Sequence, residues 1–155
     1  MHVYDLQKKD MAVSLVKQKS IYAPEKICSA EKIAELMINY FDLDKKAYEM
    51  MYVIGLDAAG NPLGISMVSQ GGTDCSLCLP YTVFTRVLLM GVSNFILVHN
   101  HPGGNISPSK ADDEVTKRML EGAKLLELDF LDHVIIGSNR DFFSFREQGL
   151  ILNRG

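Results

Sequence analysis

The sequence predicts an α/β domain in which a mixed β-sheet is sandwiched by helices. Three observations carry that expectation. The runs "EMMYVIGL" and "NFILVHN" are short and continuously apolar, as strands covered on both faces are. The stretches around them place apolar residues at helical spacing. "AAGN" between "EMMYVIGL" and "PLGISMVSQ" marks a hairpin, so at least one pair of strands is antiparallel. Interleaved strands and helices with a hairpin make a layered mixed sheet, although the strand order does not follow.

Taken in order, "MAVSLVKQKSIYA" (Met11 to Ala23) reads as a strand with mixed alternation. "SAEKIAELMINYF" sets Ile33, Leu36, Met37 and Tyr40 at helical spacing behind Ser29, a plausible N-cap. The hairpin follows. "LPYTVFTRVLLMG" has Pro80 near a first helical turn and Gly91 just past the end. "NFILVHN" is the second buried strand. In "SKADDEVTKRMLEGAKLLEL" the stripe Val115, Met119, Ala123 and Leu126 faces one way, which assigns a third helix with a core-facing side. "FLDHVIIG" is a further strand and "DFFSF" a short one, while "REQGLILNRG" fits no single assignment.

A chain of 155 residues with 47% apolar and 23% charged residues is an ordinary soluble composition, read here as one domain over 1–155. A net charge of -3 argues against a broad basic face for nucleic acid, though not against a local patch. The N-terminus lacks the apolar core of a secretory signal, and no window reaches the roughly 20 apolar residues of a membrane span. Three cysteines, an odd number, point to a reducing compartment, so a cytoplasmic protein is expected.

The chemistry concentrates in "LVHNHPGGNISPSKADDEV". Alternation on a strand turns His99 and His101 to one face, roughly 6.5 Å apart along the chain, with Asn100 on the other and free for a structural role. Pro102 ends the strand, and Gly103 and Gly104 let the backbone fold back. Ser109 then opens a helix with Asp112 in its first turn. A catalytic zinc commonly takes three protein ligands and keeps one position for water, and His99, His101 and Asp112 would supply the three. Two plainer readings stand beside this: a His-x-His incidental to metal, and a Ser-x-x-Asp that is only a capping box.

"HNHPGGNISPSKAD" resembles the His-x-His-x7-Ser-x2-Asp pattern of the JAMM, or JAB/MPN, metalloproteases. The longer stretch from Leu97 to Gly137 looks like the RadC branch of that family, and the resemblance runs from about Glu49 to Ser144. It implies the JAB/MPN, cytidine-deaminase-like architecture and a Zn2+ cofactor. It also implies a glutamate at the start of a core strand, which Glu49 fits, eight residues before Asp57. By composition alone Glu49 would be a solvated strand-end residue. By resemblance it takes a proton from water and passes it to a leaving amine, while Ser109 steadies the oxyanion. The substrate implied is a peptide, an isopeptide or another amide. Longer RadC proteins carry a helix-hairpin-helix region, for which this chain shows no counterpart. The alternative reading is a DNA-repair-associated protein that binds or cleaves nucleic acid.

The remaining motifs weigh less. Cys75 and Cys78 of "CSLC" have metal spacing but lack a second pair, so packing is the preferred reading. Asp132 and His133 read as buried structural groups ahead of neighbours to the site. Lys117, Arg118 and Lys124 read as a solvated face. The His-Glu-x-x-His of zincins is absent, and the Cys-x-x-Cys of nucleobase deaminases would follow, not precede, the histidines. A TIM-barrel hydrolase would need about 250 residues.

Overall fold

The computed structural model describes residues 1–23, 26–27, 29–71 and 78–152. Along the chain these form β1 (His2–Lys9), β2 (Ala12–Ser20), α1 (Ala30–Phe41), a short 3-10 turn (Leu43–Lys45), β3 (Met50–Leu56), β4 (Pro62–Gln70), α2 (Pro80–Met90), β5 (Asn94–Asn100), α3 (Lys110–Leu125), β6 (Asp129–Ile136) and β7 (Phe142–Ser144). The strands make one seven-stranded sheet in the order β2-β1-β4-β3-β5-β6-β7. The β1–β4 and β5–β6 pairs are parallel and the others antiparallel, so the sheet is mixed as expected.

Strand alternation divides the apolar residues between two cores. Tyr52, Ile54, Ile96, Val98, Val134 and Ile136 pack beneath α1 with Ile33, Leu36 and Met37. Met51, Val53, Phe95, Leu97 and Ile135 face the other way, against Val83 and Val87 of α2 and Val115 and Met119 of α3. Every residue of β3 is buried, which is why its sequence shows no polar alternation.

Local chemistry sets the helix limits. The Ser29 hydroxyl accepts the Lys32 N–H at 3.3 Å to open α1. Pro80 begins α2 and Gly91, at φ 69°, ends it. Two stripe residues depart from expectation. Tyr40 is 39% exposed because a 3.6-residue period carries the α1 stripe on to Phe41, whose ring packs tilted against Tyr52 with centroids 5.1 Å apart. Leu126 is 42% exposed because α3 stops at Leu125 and Leu126 turns out of the helix as its C-cap.

The N-terminus holds an element that sequence patterning missed. β1 pairs with β2 across a turn whose two residues, Asp10 and Met11, have φ of 51° and 66°. β2 therefore begins at Ala12 and not at Met11, and it ends at Ser20, short of Ala23. The hairpin is largely exposed, so it lacks the apolar alternation that betrays a strand. Among the described residues no helix is long and apolar enough to cross a membrane.

One contact holds the loop after β5. His101 N–H donates to the Ile136 carbonyl at 2.9 Å, and the turn closes with Gly104 N–H donating to the His101 carbonyl at 2.9 Å. A Cβ on Gly137 would sit 2.4 Å from the Gly104 carbonyl oxygen, a backbone atom that has nowhere to retreat. Gly137→Ala is accordingly expected to lower unfolding stability by about 1–3 kcal/mol. Urea denaturation of the two proteins measures it, and an unchanged midpoint contradicts this account of the turn.

Candidate metal centre

The parity of β5 decides which groups meet. Phe95, Leu97 and His99 face α2 and α3, and Ile96, Val98 and Asn100 face α1. His99 thus lies under the N-terminal turn of α3, whose inward stripe begins with Asp112 and continues through Val115, Thr116, Met119 and Ala123. His101 stands just beyond the strand end, half-buried.

His99 Nε2 lies 3.1 Å from Asp112 Oδ1, His101 Nε2 lies 3.1 Å from Asp112 Oδ2, and the two imidazole Nε2 atoms are 3.1 Å apart. Ligands of a tetrahedral zinc, at about 2.0–2.1 Å from the ion, are about 3.3 Å from one another. Among the described residues this is the one cluster of three metal-ligating groups whose donor atoms lie within 4.8 Å of one another.

The donor chemistry fits a cation as well as the spacing does. His101 Nδ1 is 2.7 Å from the Asn105 carbonyl oxygen. A carbonyl only accepts, so Nδ1 carries the proton and Nε2 of the neutral ring presents a lone pair to the centre. Asp112 brings a carboxylate to the same point. Burial pushes its carboxyl pKa up, but the imidazoles of His101 and His99 and the Ser109 N–H hold it far below the usual carboxylate range. These residues can hold a metal ion.

A proton competes for the same place. The hydrogen bond with Asp112 raises the His101 pKa, against the lowering effect of burial. Metal uptake displaces that proton, so zinc affinity is expected to fall by about tenfold per pH unit below the raised His101 value and to level off above it. Chelator competition over roughly pH 5.5 to 8 reads this slope, and a flat profile excludes His101 as a ligand. In the metal-free protein the two shifts have opposite signs. The lowered Asp112 stabilises the fold above its ordinary 3.8, and that contribution is lost as pH falls through the folded value. The raised His101 stabilises below its ordinary 6.5, and that is lost as pH rises through the folded value. Between 3.8 and 6.5 both contributions are in force.

Ser109 and Asp112 form the capping box that the plainer reading expects. The Ser109 hydroxyl accepts the Asp112 N–H at 3.1 Å, and Asp112 Oδ2 accepts the Ser109 N–H at 2.7 Å. The same carboxylate faces the histidines. A hydroxyl that accepts one bond keeps its proton for another partner, and Ser109 lines the cleft.

Glu49, the residue just before β3, reaches the centre. Antiparallel pairing sets Met51 opposite His99, which brings Glu49 Oε1 to 3.9 Å from His99 Nε2, with only 11% of the Glu49 side chain exposed. Asn100 fixes that approach from the other face of β5. Its Oδ1 accepts the Met50 N–H at 2.8 Å and its Nδ2 donates to the Tyr48 carbonyl at 3.1 Å, so one buried amide grips the backbone on either side of Glu49. A cleft of about 530 Å3 opens here, lined by Tyr48, Glu49, His101, Pro102, Ser109 and Asp112 among others. A second groove of about 400 Å3, near Leu120, Leu128 and Phe130, holds no such cluster among the described residues.

The two residues read ahead as structural divide. Asp132 is structural: it accepts from the Ser144 hydroxyl at 2.6 Å and from the backbone N–H groups of His133 and Arg146 at 2.8 and 3.0 Å, pinning the C-terminal turn. His133 is fully buried, and it is also a neighbour of the site. Its Nε2 is 2.9 Å from His99 Nδ1 and its Nδ1 is 2.6 Å from the hydroxyl of Thr116, a residue the sequence reading passed over. The signal was available, since Thr116 lies one helical turn beyond Asp112 on the same stripe. Burial drives the His133 pKa well down, so its ring is neutral. Cys78 is buried with its thiol pushed up to about 11 by that burial, as a packing residue would be, and Cys75 lies outside the described residues. Lys117 and Lys124 are exposed and Arg118 half-buried.

A family model described as "RadC-like JAB domain" matches residues 27–150. The chain belongs to the RadC-like JAB domain family. Curated relatives agree. A UPF0758 protein of Methanosarcina acetivorans is 39% identical over 126 residues, covering 81% of this chain and 54% of its own. One from Thermotoga maritima is 37% identical over 126 residues, with 81% and 55% covered. A third, from Syntrophomonas wolfei, is 35% identical over 136 residues, with 86% and 55% covered. This RadC-like JAB chain spans about half the length of the curated relatives it matches.

Proposed function

We propose that this domain is a zinc-dependent metallohydrolase that cleaves an amide bond, as a peptidase or isopeptidase. The observation that supports this reading best is the convergence of two imidazole nitrogens and a carboxylate, each 3.1 Å from its neighbours, beside the Glu49 carboxylate. His99, His101 and Asp112 would hold the metal. When bound, zinc supplies a Lewis acid that lowers the pKa of a coordinated water from about 15.7 to near 7.

The chain's own residues account for the rest. Glu49, poised beside His99 Nε2, accepts a proton from the attacking water at its carboxylate and hands it to the leaving amine. Ser109 donates its hydroxyl proton to the oxyanion that forms on the scissile carbonyl. Asn100 holds Glu49 to its place through the backbone. Pro102 and Tyr48 give the cleft apolar walls against which an extended chain can lie.

Metal analysis of protein purified without chelator tests this directly. About one zinc per chain is expected, together with hydrolysis of at least one member of a panel of peptides and isopeptides. A protein that neither contains zinc nor takes it up contradicts the reading. Nothing in the geometry favours the nucleic-acid alternative over it.

A further inference from the structure

A histidine ligand is useful to a metal only if the nitrogen facing the ion carries no proton. For the neutral His101 ring the Asn105 carbonyl secures this by holding the proton on Nδ1. Among the described residues, no carbonyl accepts from His99 Nδ1. This nitrogen meets His133 Nε2 at 2.9 Å, and an imidazole there can donate or accept. The direction must be set further along.

We propose that Thr116 and His133 fix the tautomer of His99, and with it the affinity of the centre for a divalent cation. The inference rests on the metal reading above. The Thr116 hydroxyl lies 2.8 Å from the Asp112 backbone carbonyl and 2.6 Å from His133 Nδ1. It has one proton, and the carbonyl can only accept. With that proton on the carbonyl, Thr116 Oγ1 accepts from His133 Nδ1–H. His133 Nε2 then accepts from His99 Nδ1–H, and His99 Nε2 presents a lone pair to the centre.

The opposite polarity sends the hydroxyl proton to His133, sets a proton on His133 Nε2 facing His99 Nδ1, and puts an N–H where the cation belongs. Only the first polarity aims two lone pairs and a carboxylate at one point. Asp112 thus acts twice: its carboxylate is a donor, and its backbone carbonyl orients a second donor through two intervening side chains. Thr116 and His133 are positioning residues.

Thr116→Val keeps the shape and removes the hydroxyl. His133 Nδ1–H then lacks an acceptor in a buried place, which favours the reversed chain. Zinc affinity, read by competition with a chromogenic chelator, is expected to fall about 10–100-fold, and Thr116→Ser to restore it. In zinc-loaded protein, nitrogen NMR of the imidazoles is expected to show His99 protonated at Nδ1 in the wild type and in Thr116→Ser. Thermal unfolding confirms that each variant is folded. Wild-type affinity in Thr116→Val overturns the proposal, as does an equal loss in Thr116→Ser, which assigns the effect to packing. Asp112→Ala separates the two failures. If the wild type takes up zinc and Asp112→Ala does not, the metal reading stands whatever Thr116 does, whereas no uptake by the wild type removes both.

Discussion

Glu49→Gln is expected to leave zinc content at the wild-type level and to lower amide hydrolysis by about 10²–10⁴-fold. The substitution keeps the size of the side chain and one oxygen, so the packing against β5 survives. What disappears is a basic oxygen 3.9 Å from His99 Nε2. A structural Glu49 would behave differently: its loss would lower stability or metal content, and activity would follow in proportion. Measuring zinc, unfolding and turnover on the same preparation separates these cases. Full activity in a zinc-loaded Glu49→Gln protein removes Glu49 from the reaction.

The second large effect concerns Asp112, which caps α3 and, in the proposed function, is also a metal donor. Asp112→Ala is expected to abolish stable zinc uptake and also to cost about 0.5–2 kcal/mol of fold stability through the lost cap. Asp112→Asn separates the two roles. Its amide oxygen can still accept the Ser109 N–H, now at 2.7 Å from Oδ2, while the charge between the two histidines is gone. The expected result is a smaller loss of stability of the metal-free protein than in Asp112→Ala, since the cap is kept and only the charge is lost, with zinc affinity down by at least about tenfold, read by urea denaturation with chelator present and by chelator competition. Undiminished zinc binding in Asp112→Asn would falsify the assignment of this carboxylate as a ligand.

Much of this arrangement is written locally. The buried runs at β3 and β5, the hairpin between β3 and β4, and the caps of all three helices are properties of neighbouring residues, and each appears where the sequence places it. The spacing His99, His101, Ser109 and Asp112 is local too, spanning one strand end, one turn and one helix start. What eluded residue-by-residue reading is what sheet pairing creates. Glu49 is ordinary until Met51 pairs with His99, and only a family resemblance singled it out. His133 is an apolar-strand histidine until parallel pairing sets it opposite Leu97, two residues before His99. β1 went unseen because its hairpin leaves most side chains in water, where no pattern is imposed on them.

The pairing of Met51 with His99 has a consequence for how the molecule matures. Side chains on a strand change sides with every residue, so a slip of one position would turn His99 toward α1 and leave Asp112 facing an asparagine. Half-made sheets therefore do not assemble the His99, His101 and Asp112 cluster. On the proposed function, a chain emerging from the ribosome would stay chemically silent toward its neighbours until its middle strands had found their final alignment.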